Sequence, residues 1–191
     1  MVSYININLS ADIIMHFAAE IIRQENARPD AEARFMQIVS AHSGIINRIC
    51  YSYACNPDDF NDLRQDVLIT LWRGLDSFRG DSSVITWIYR VALNTCVSAA
   101  RRNSSRRDTY PLAGIIEPAQ EQDAESDRII MLYEMIASLP QEEKALILMW
   151  LDEMPYEEIA EVMGYPRNTV AVKLHRIREK LKTNIHKKNQ S

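Results

Sequence analysis

The sequence predicts an all-α protein: two small helical domains joined by a flexible linker, the second domain a helix-turn-helix. Three observations carry this. Apolar residues recur at steps of three and four through most of the chain, the spacing of one buried helix face. Only five glycines and seven prolines interrupt 191 residues, and aromatics make up 8%, a profile that favours helices over a sheet sandwich. Charge is segregated along the chain. Glu117 to Glu161 holds 13 acidic residues against Arg128 and Lys144, whereas Gly164 to Ser191 holds eight basic residues against Glu179. A net charge of −4 therefore does not exclude local basic surfaces.

Residues 1–30 form an extension with no assigned role. Ile13, Ile14, Phe17 and Ile21 suit a short amphipathic helix ending before Pro29. Two readings stand: a docking helix, or translated upstream sequence with Met15 or Met36 as the true start, and the second is preferred.

The first domain is placed at 31–102. Its first helix runs from Glu32 to about Tyr53, with Phe35, Ile38, Val39, Ile45, Ile46 and Ile49 on one face and Gly44 tolerated inside. Asn56-Pro57-Asp58-Asp59 breaks it. A second helix follows from about Phe60 to Leu75, turning Leu63, Val67, Leu71 and Leu75 inward and Asp62, Gln65, Asp66, Ile69 and Arg73 outward. Arg79-Gly80-Asp81 then signals a turn, and Ser82 and Ser83 suit a helix start. In this third helix Val84, Ile88, Val91, Thr95 and Ala99 are expected to face the core. Trp87, Arg90, Asn94, Ser98 and Arg101 make a second stripe, an odd lining for a core and a good one for nucleic acid. An aromatic stacks on unpaired bases, an amide reads a base edge, and arginines hold phosphates. Periodicity alone leaves a bland alternative equally open, an amphipathic helix with Trp87 half-buried.

Residues 103–127, with Pro111, Gly114 and Pro118, show no periodic face and read as the linker. Arg101, Arg102, Arg106 and Arg107 make a basic cluster at its start, and acids crowd its end. Those acids either keep the chain soluble or cover the basic C-terminal face.

The second domain is placed at 128–185, followed by a basic tail at 186–191. Ile129, Leu132, Tyr133, Ile136 and Leu139 mark one helix stopped by Pro140; Ala145, Leu148 and Met149 mark another ending near Leu151. Pro155 starts a helix over Tyr156 to Met163, Gly164 gives a tight turn, and Pro166 opens the last helix. Val170, Leu174, Ile177 and Leu181 step along its core face. Ala160 lets the two helices approach and Val170 plugs between them, which makes a helix-turn-helix. The last helix offers Arg167, Asn168, Ala171, Val172, Lys173, His175, Arg176 and Lys180 on its other side, a surface that suits a major groove.

Other classes find no support. Cys50, Cys55 and Cys96 show no CxxC and no His at metal-ligand spacing, so they read as a reduced, cytosolic core, with Cys50 and Cys55 able to approach across a helix end. There is no apolar run near 18 residues and no cationic leader, so neither membrane insertion nor a signal peptide is expected. No phosphate loop, metal cluster or nucleophile–base pair appears, so neither an enzyme nor a cofactor is expected.

The run FRGDSSVITWIYRVALN closely resembles the promoter-melting segment of bacterial RNA polymerase sigma factors of the extracytoplasmic-function (ECF) type. DDFNDLRQDVLITLWR, just before it, resembles their polymerase-docking helix. SLPQEEKALILMW and MPYEEIAEVMGYPRNTVAVKLHRIREKL resemble sigma region four, the reader of the minus-thirty-five element. The resemblance spans about residues 31 to 185. It implies core polymerase binding by Asp62, Gln65, Asp66, Ile69 and Arg73, and minus-ten DNA binding by Phe78, Trp87, Arg90, Asn94, Ser98, Arg101 and Arg102. It implies minus-thirty-five binding by Arg167, Asn168, Thr169, Ala171, Val172, Lys173, His175 and Arg176, of which His175 is preferred as a phosphate neighbour. Expected partners are core RNA polymerase, promoter DNA and an anti-sigma factor, and the chain itself is expected in the cytoplasm. Two departures stand out: Arg64 where the family is usually apolar or small, and Ala171-Val172 where it often carries a basic residue and a serine. The rival reading is a stand-alone helix-turn-helix regulator binding palindromic sites as a dimer.

Overall fold

In the computed structural model of the chain, residues 29–102 and 124–188 are described, with side chains over 30–102 and 131–185. Among them run seven helices: α1 (Pro29–Tyr53), α2 (Pro57–Gly74), α3 (Val84–Arg102), α4 (Ala124–Ala137), α5 (Gln141–Leu151), α6 (Tyr156–Met163) and α7 (Arg167–Lys188). A 3-10 turn, Leu75–Ser77, follows α2. The chain divides into two units at Ala119–Gln120, and each has its own core. The helix expected before Pro29 lies outside the described residues, as does the linker except 124–127, which is the first turn of α4.

In the first unit α1, α2 and α3 pack pairwise against one another. α1 buries Phe35, Val39, Ile46, Ile49 and Cys50. Its backbone departs from helical geometry at His42 (φ −119°, ψ 16°), immediately before Ser43-Gly44, the kind of small-residue pair at which helices kink. The buried line nonetheless keeps its stepping from Phe35 and Val39 to Ile46, Ile49 and Tyr53, and Ile38 and Ile45, expected inward, lie half-buried along its edge. α2 starts at Pro57, three residues earlier than its apolar pattern indicates, because Asn56 caps it. The Asn56 side chain accepts from the Asp59 N–H at 2.8 Å, while Asp59 Oδ2 accepts from the Cys55 N–H at 2.8 Å. Leu63, Val67, Leu71 and Leu75 face inward as expected, joined by Phe60, Leu68 and Arg64.

The core face of α3 is a correction to the sequence reading. Ile88, Ala92, Cys96 and Ala99, with Tyr89 and Leu93, are buried, whereas Val84, Val91 and Thr95 lie at the edge. The buried face carries small Ala92, Cys96 and Ala99, which let α1 and α2 approach. The Thr95 hydroxyl donates back to the Val91 carbonyl at 2.8 Å, so its polarity is met within its own helix. Ser83 caps α3, its hydroxyl accepting from the Thr86 N–H at 3.1 Å.

In the second unit α7 packs on α5 and α6. α5 buries Lys144 through Met149 almost continuously, so it is the central helix of this unit. α6 has eight residues, far fewer than a helix needs to stand alone in water. It is held by Ile159, fully buried, and ends on Gly164 in the left-handed conformation (φ 69°). The Tyr165 N–H reaches back to the Ala160 carbonyl at 3.1 Å, closing the turn. Pro166 offers its carbonyl to the N–H groups of Thr169 and Val170, which starts α7. Val170, Leu174, Ile177 and Leu181 are all buried, as their spacing predicts.

Candidate nucleic-acid interface

The rings of Phe78 and Trp87 stack at the start of α3, centroids 4.9 Å apart and planes 25° apart. The Arg34 guanidinium of α1 lies 6.0 Å from the Phe78 ring centre. A methyl group built on Gly74 would stand 3.5 Å from Trp87 Cζ2, so the indole lies along bare backbone on that side. From this aromatic end the face continues through half-buried Arg90 and exposed Asn94, Ser98, Arg101 and Arg102. Trp87 to Arg101 spans roughly 21 Å along the axis. The two terminal arginines sit at the negative end of the helix dipole, which favours their charge. The structure thus brings all seven residues of the expected minus-ten set onto one side of α3 and the loop before it.

On α2, Asp62, Gln65, Asp66 and Arg73 are exposed and Ile69 is half-buried, so these five share an accessible face. Asp66 Oδ2 stands 3.9 Å from Arg102 Nη2, both side chains more than half exposed. An exposed pair at that distance stabilises by about 1 kcal/mol at most. Its value is positional: the acidic face of α2 adjoins the basic end of α3.

Arg64 is 3% exposed, on the inner side of α2 rather than the contact face. Burial lowers its pKa, and the neighbouring Cys50 opposes that shift. The free thiols of Cys50 and Cys96 of α3 share a hydrogen bond, and that hydrogen bond, with burial, pushes the Cys50 thiol up. Cys96 of α3 is therefore a close thiol neighbour of Cys50 on α1.

On α7 the expected groove face divides in three. Directly opposite the core face stand Asn168, Val172, His175 and Arg176, all exposed. On one flank Lys173 Nζ donates to Glu142 Oε1 at 2.6 Å and Lys180 Nζ to Glu143 Oε2 at 2.8 Å, both carboxylates on α5. The Lys173 ammonium also lies 5.1 Å from the Tyr165 ring centre. On the other flank Arg167 bonds to Glu157 of α6 and lies over the Tyr156 ring, with Ala171 half-buried beside it. Thr169 is half-buried. The hydrogen bond from Lys173, assisted by one from the Tyr165 hydroxyl, holds the Glu142 carboxyl below its ordinary range. The same bond pushes Lys173 up.

Comparison with known proteins matches both units. Residues 38–106 match Sigma-70 region 2, and residues 129–181 match Sigma-70, region 4. The ECF RNA polymerase sigma-E factor of Escherichia coli K12 is 34% identical over 142 residues, 66% of this chain and 74% of that protein. The RNA polymerase sigma factor YlaC of Bacillus subtilis is 32% identical over 136 residues, 68% of this chain and 79% of that protein. The chain belongs to the ECF branch of the sigma-70 family. Among solved structures, sigma factor RpoE of Bartonella quintana, in complex with the anti-sigma factor NepR, superposes with a TM-score of 0.63 at 22% identity. It covers 83% of this chain and 98% of its own. CnrH, in complex with the cytosolic domain of CnrY, gives 0.58 at 22% identity, covering 93% and 98%. At that identity both likenesses speak to the fold.

Two features of this sigma factor escape its sequence pattern. Arg34 joins the Phe78–Trp87 stack from α1, more than forty positions before its partner. The carboxylate partners of Lys173 and Lys180 lie on another helix, 31 and 37 residues away. A helix period reports which face a residue shares, not which charge meets that face.

Proposed function

We propose that this sigma factor divides the work of transcription initiation among three surfaces. The outer face of α2, with Asp62, Gln65, Asp66, Ile69 and Arg73, docks on core RNA polymerase. α7 seats in the major groove of the minus-thirty-five element through Arg167, Asn168, Thr169, Ala171, Val172, Lys173, His175 and Arg176. The face from Phe78 to Arg102 receives separated minus-ten bases. Stacking on an aromatic supplies about 1–3 kcal/mol per base without demanding one sequence. Asn94 and Ser98 add hydrogen bonds, while Arg90, Arg101 and Arg102 meet the backbone.

The observation that carries this reading is the continuity of that face. An aromatic stack leads without interruption into an amide, a hydroxyl and a pair of terminal arginines, on a helix whose other side is fully packed. Its contact with the α2 face, through Asp66 and Arg102, suits a device that couples polymerase docking to strand capture. Nothing in this scheme requires catalysis by the chain itself; bond formation belongs to the polymerase. Among the described residues no helix is long and apolar enough to cross a membrane, and we assign the chain to the cytoplasm with its polymerase. RpoE was solved with an anti-sigma factor, which supports a partner of that kind here.

Reconstitution tests the scheme. The full chain should co-purify with core RNA polymerase and confer strand opening on a promoter that core enzyme alone leaves closed. A chain that ignores core enzyme and binds palindromic duplex as a dimer would instead be a stand-alone regulator.

A further inference from the structure

Val172 is 51% exposed, the one large apolar side chain that stands so far into solvent among the described residues. It lies half a turn from the line of Val170, Leu174, Ile177 and Leu181, directly opposite the core. The charged residues nearest to it on either flank are turned aside. Lys173 and Lys180 bond to Glu142 and Glu143, and Arg167 bonds to Glu157. What remains at the crest of α7 is Asn168 one turn before Val172, Arg176 one turn after it and His175 beside it, with Glu179 two turns on and bonded to Lys182.

We infer that Val172 is a base-reading residue of α7 and that it selects thymine in the upstream element through the C5-methyl group. The inference rests on the reading of α7 as the major-groove helix. In that groove the thymine methyl is the one apolar group on a base edge, and a branched aliphatic side chain complements it without a hydrogen bond. Asn168, four residues away on the same line, has the two-pronged amide that pairs with adenine N6 and N7. Half-buried Ala171 carries too little bulk to hold the crest away from the base pairs. A protein partner is the weaker occupant. Protein interfaces centre on contiguous apolar patches, and this valine is ringed by an amide, an imidazole and a guanidinium.

The test uses full-length chain assembled with core polymerase. A duplex pool randomised over the upstream element is selected for binding. Each thymine of the selected element is then replaced singly by deoxyuridine, which removes only the methyl. At one position the wild-type complex should weaken by roughly three- to tenfold, the effect of losing one buried methyl contact. Val172→Ala should lose a similar factor on the parent duplex. It should then be indifferent to deoxyuridine at that position while responding normally at the others. If Val172→Ala binds the parent duplex at wild-type affinity, the assignment is overturned and the side chain passes to a protein contact. Equal sensitivity of both proteins at every thymine also overturns it. A wild-type complex that enriches no upstream sequence removes the groove-binding role of α7 itself, a failure recognisable before any substitution is made.

Discussion

Phe78 and Trp87 stack at 4.9 Å between ring centres, so one face of the indole is already covered by protein. A base received there must use the remaining face or extend the stack beyond Phe78. Trp87→Ala should lower open-complex formation by roughly 5- to 150-fold, the equivalent of one lost stacking contact. Polymerase binding and upstream duplex contact should not change, and a promoter with a pre-melted bubble should recover part of the loss. Because Trp87 is only half-buried, its truncation should cost less than the ~3–5 kcal/mol typical of a buried tryptophan. A mutant that unfolds early and also loses polymerase would show the ring to be structural.

Asp66→Arg addresses docking. The residue is exposed and its ion pair with Arg102 is long, so thermal stability should shift by no more than about 0.5–1 kcal/mol. Affinity for core polymerase should nonetheless collapse. Wild-type affinity in a pull-down titration would take α2 out of the docking role.

Two helix ends in the second unit share a backbone conformation but differ in residue. Gly164 closes α6 at φ 69°, and Glu153 follows α5 at φ 57°. A Cβ at Gly164 would meet nothing within 4 Å, so the cost of Gly164→Ala is conformational rather than steric crowding by neighbours. It should destabilise by about 1–2 kcal/mol. Glu153→Gly should be neutral or stabilise by up to about 1 kcal/mol, since relieved strain outweighs the added freedom of the unfolded chain. Thermal unfolding of the full chain, following the second unit's transition, reads both; equal shifts in the same direction would refute the argument.

The Glu142–Lys173 bond sets a pH dependence. Glu142 titrates below its ordinary range in the folded chain, so its contribution is complete above that range and is lost as pH falls through the lowered value. Lys173 is raised, so its contribution is complete below the ordinary lysine range and is lost only as pH rises through the raised value. Between these limits the bond is insensitive to pH. Below about pH 4 the second unit should lose stability, and Glu142→Gln should flatten part of that loss. Only part is expected, because Glu157 and Glu179 are also held low, by a backbone hydrogen bond and Arg167 in one case and by Lys182 in the other. An acid limb identical in both proteins would show the bond to be energetically idle.

Sequence patterns served best where one local rule decided the structure. Gly164, Pro166 and the run Val170, Leu174, Ile177, Leu181 fix the turn and the inward face of α7 with little help from elsewhere. The outward face of α2 was legible for the same reason, since acids and amides alternate there with a clean leucine-valine line. α3 was harder because two adjacent stripes are both tolerably apolar. Its burial went to the stripe with Ala92 and Cys96, which closeness to α1 and α2 rewards and hydrophobicity counts do not. Arg64 shows the same limit: the resemblance marks it only as a departure, and its burial beside Cys50 shows which way it turned. The roles of these faces in polymerase and DNA binding came from motif resemblance, because periodicity cannot distinguish a solvated helix face from a contact surface.

The carboxylates on α5 and α6 have a consequence for ionic strength. A cation that releases condensed counterions from DNA must arrive without a partner of its own, and each such contact steepens the salt dependence of binding. Lys173, Lys180 and Arg167 arrive already compensated by Glu142, Glu143 and Glu157. Their neutralising glutamates travel with them to the phosphates, so these three cations displace few salt ions from the duplex. Counting basic residues in the C-terminal block therefore overstates the electrolyte sensitivity of the upstream contact. Removing Glu142 and Glu143 should steepen it.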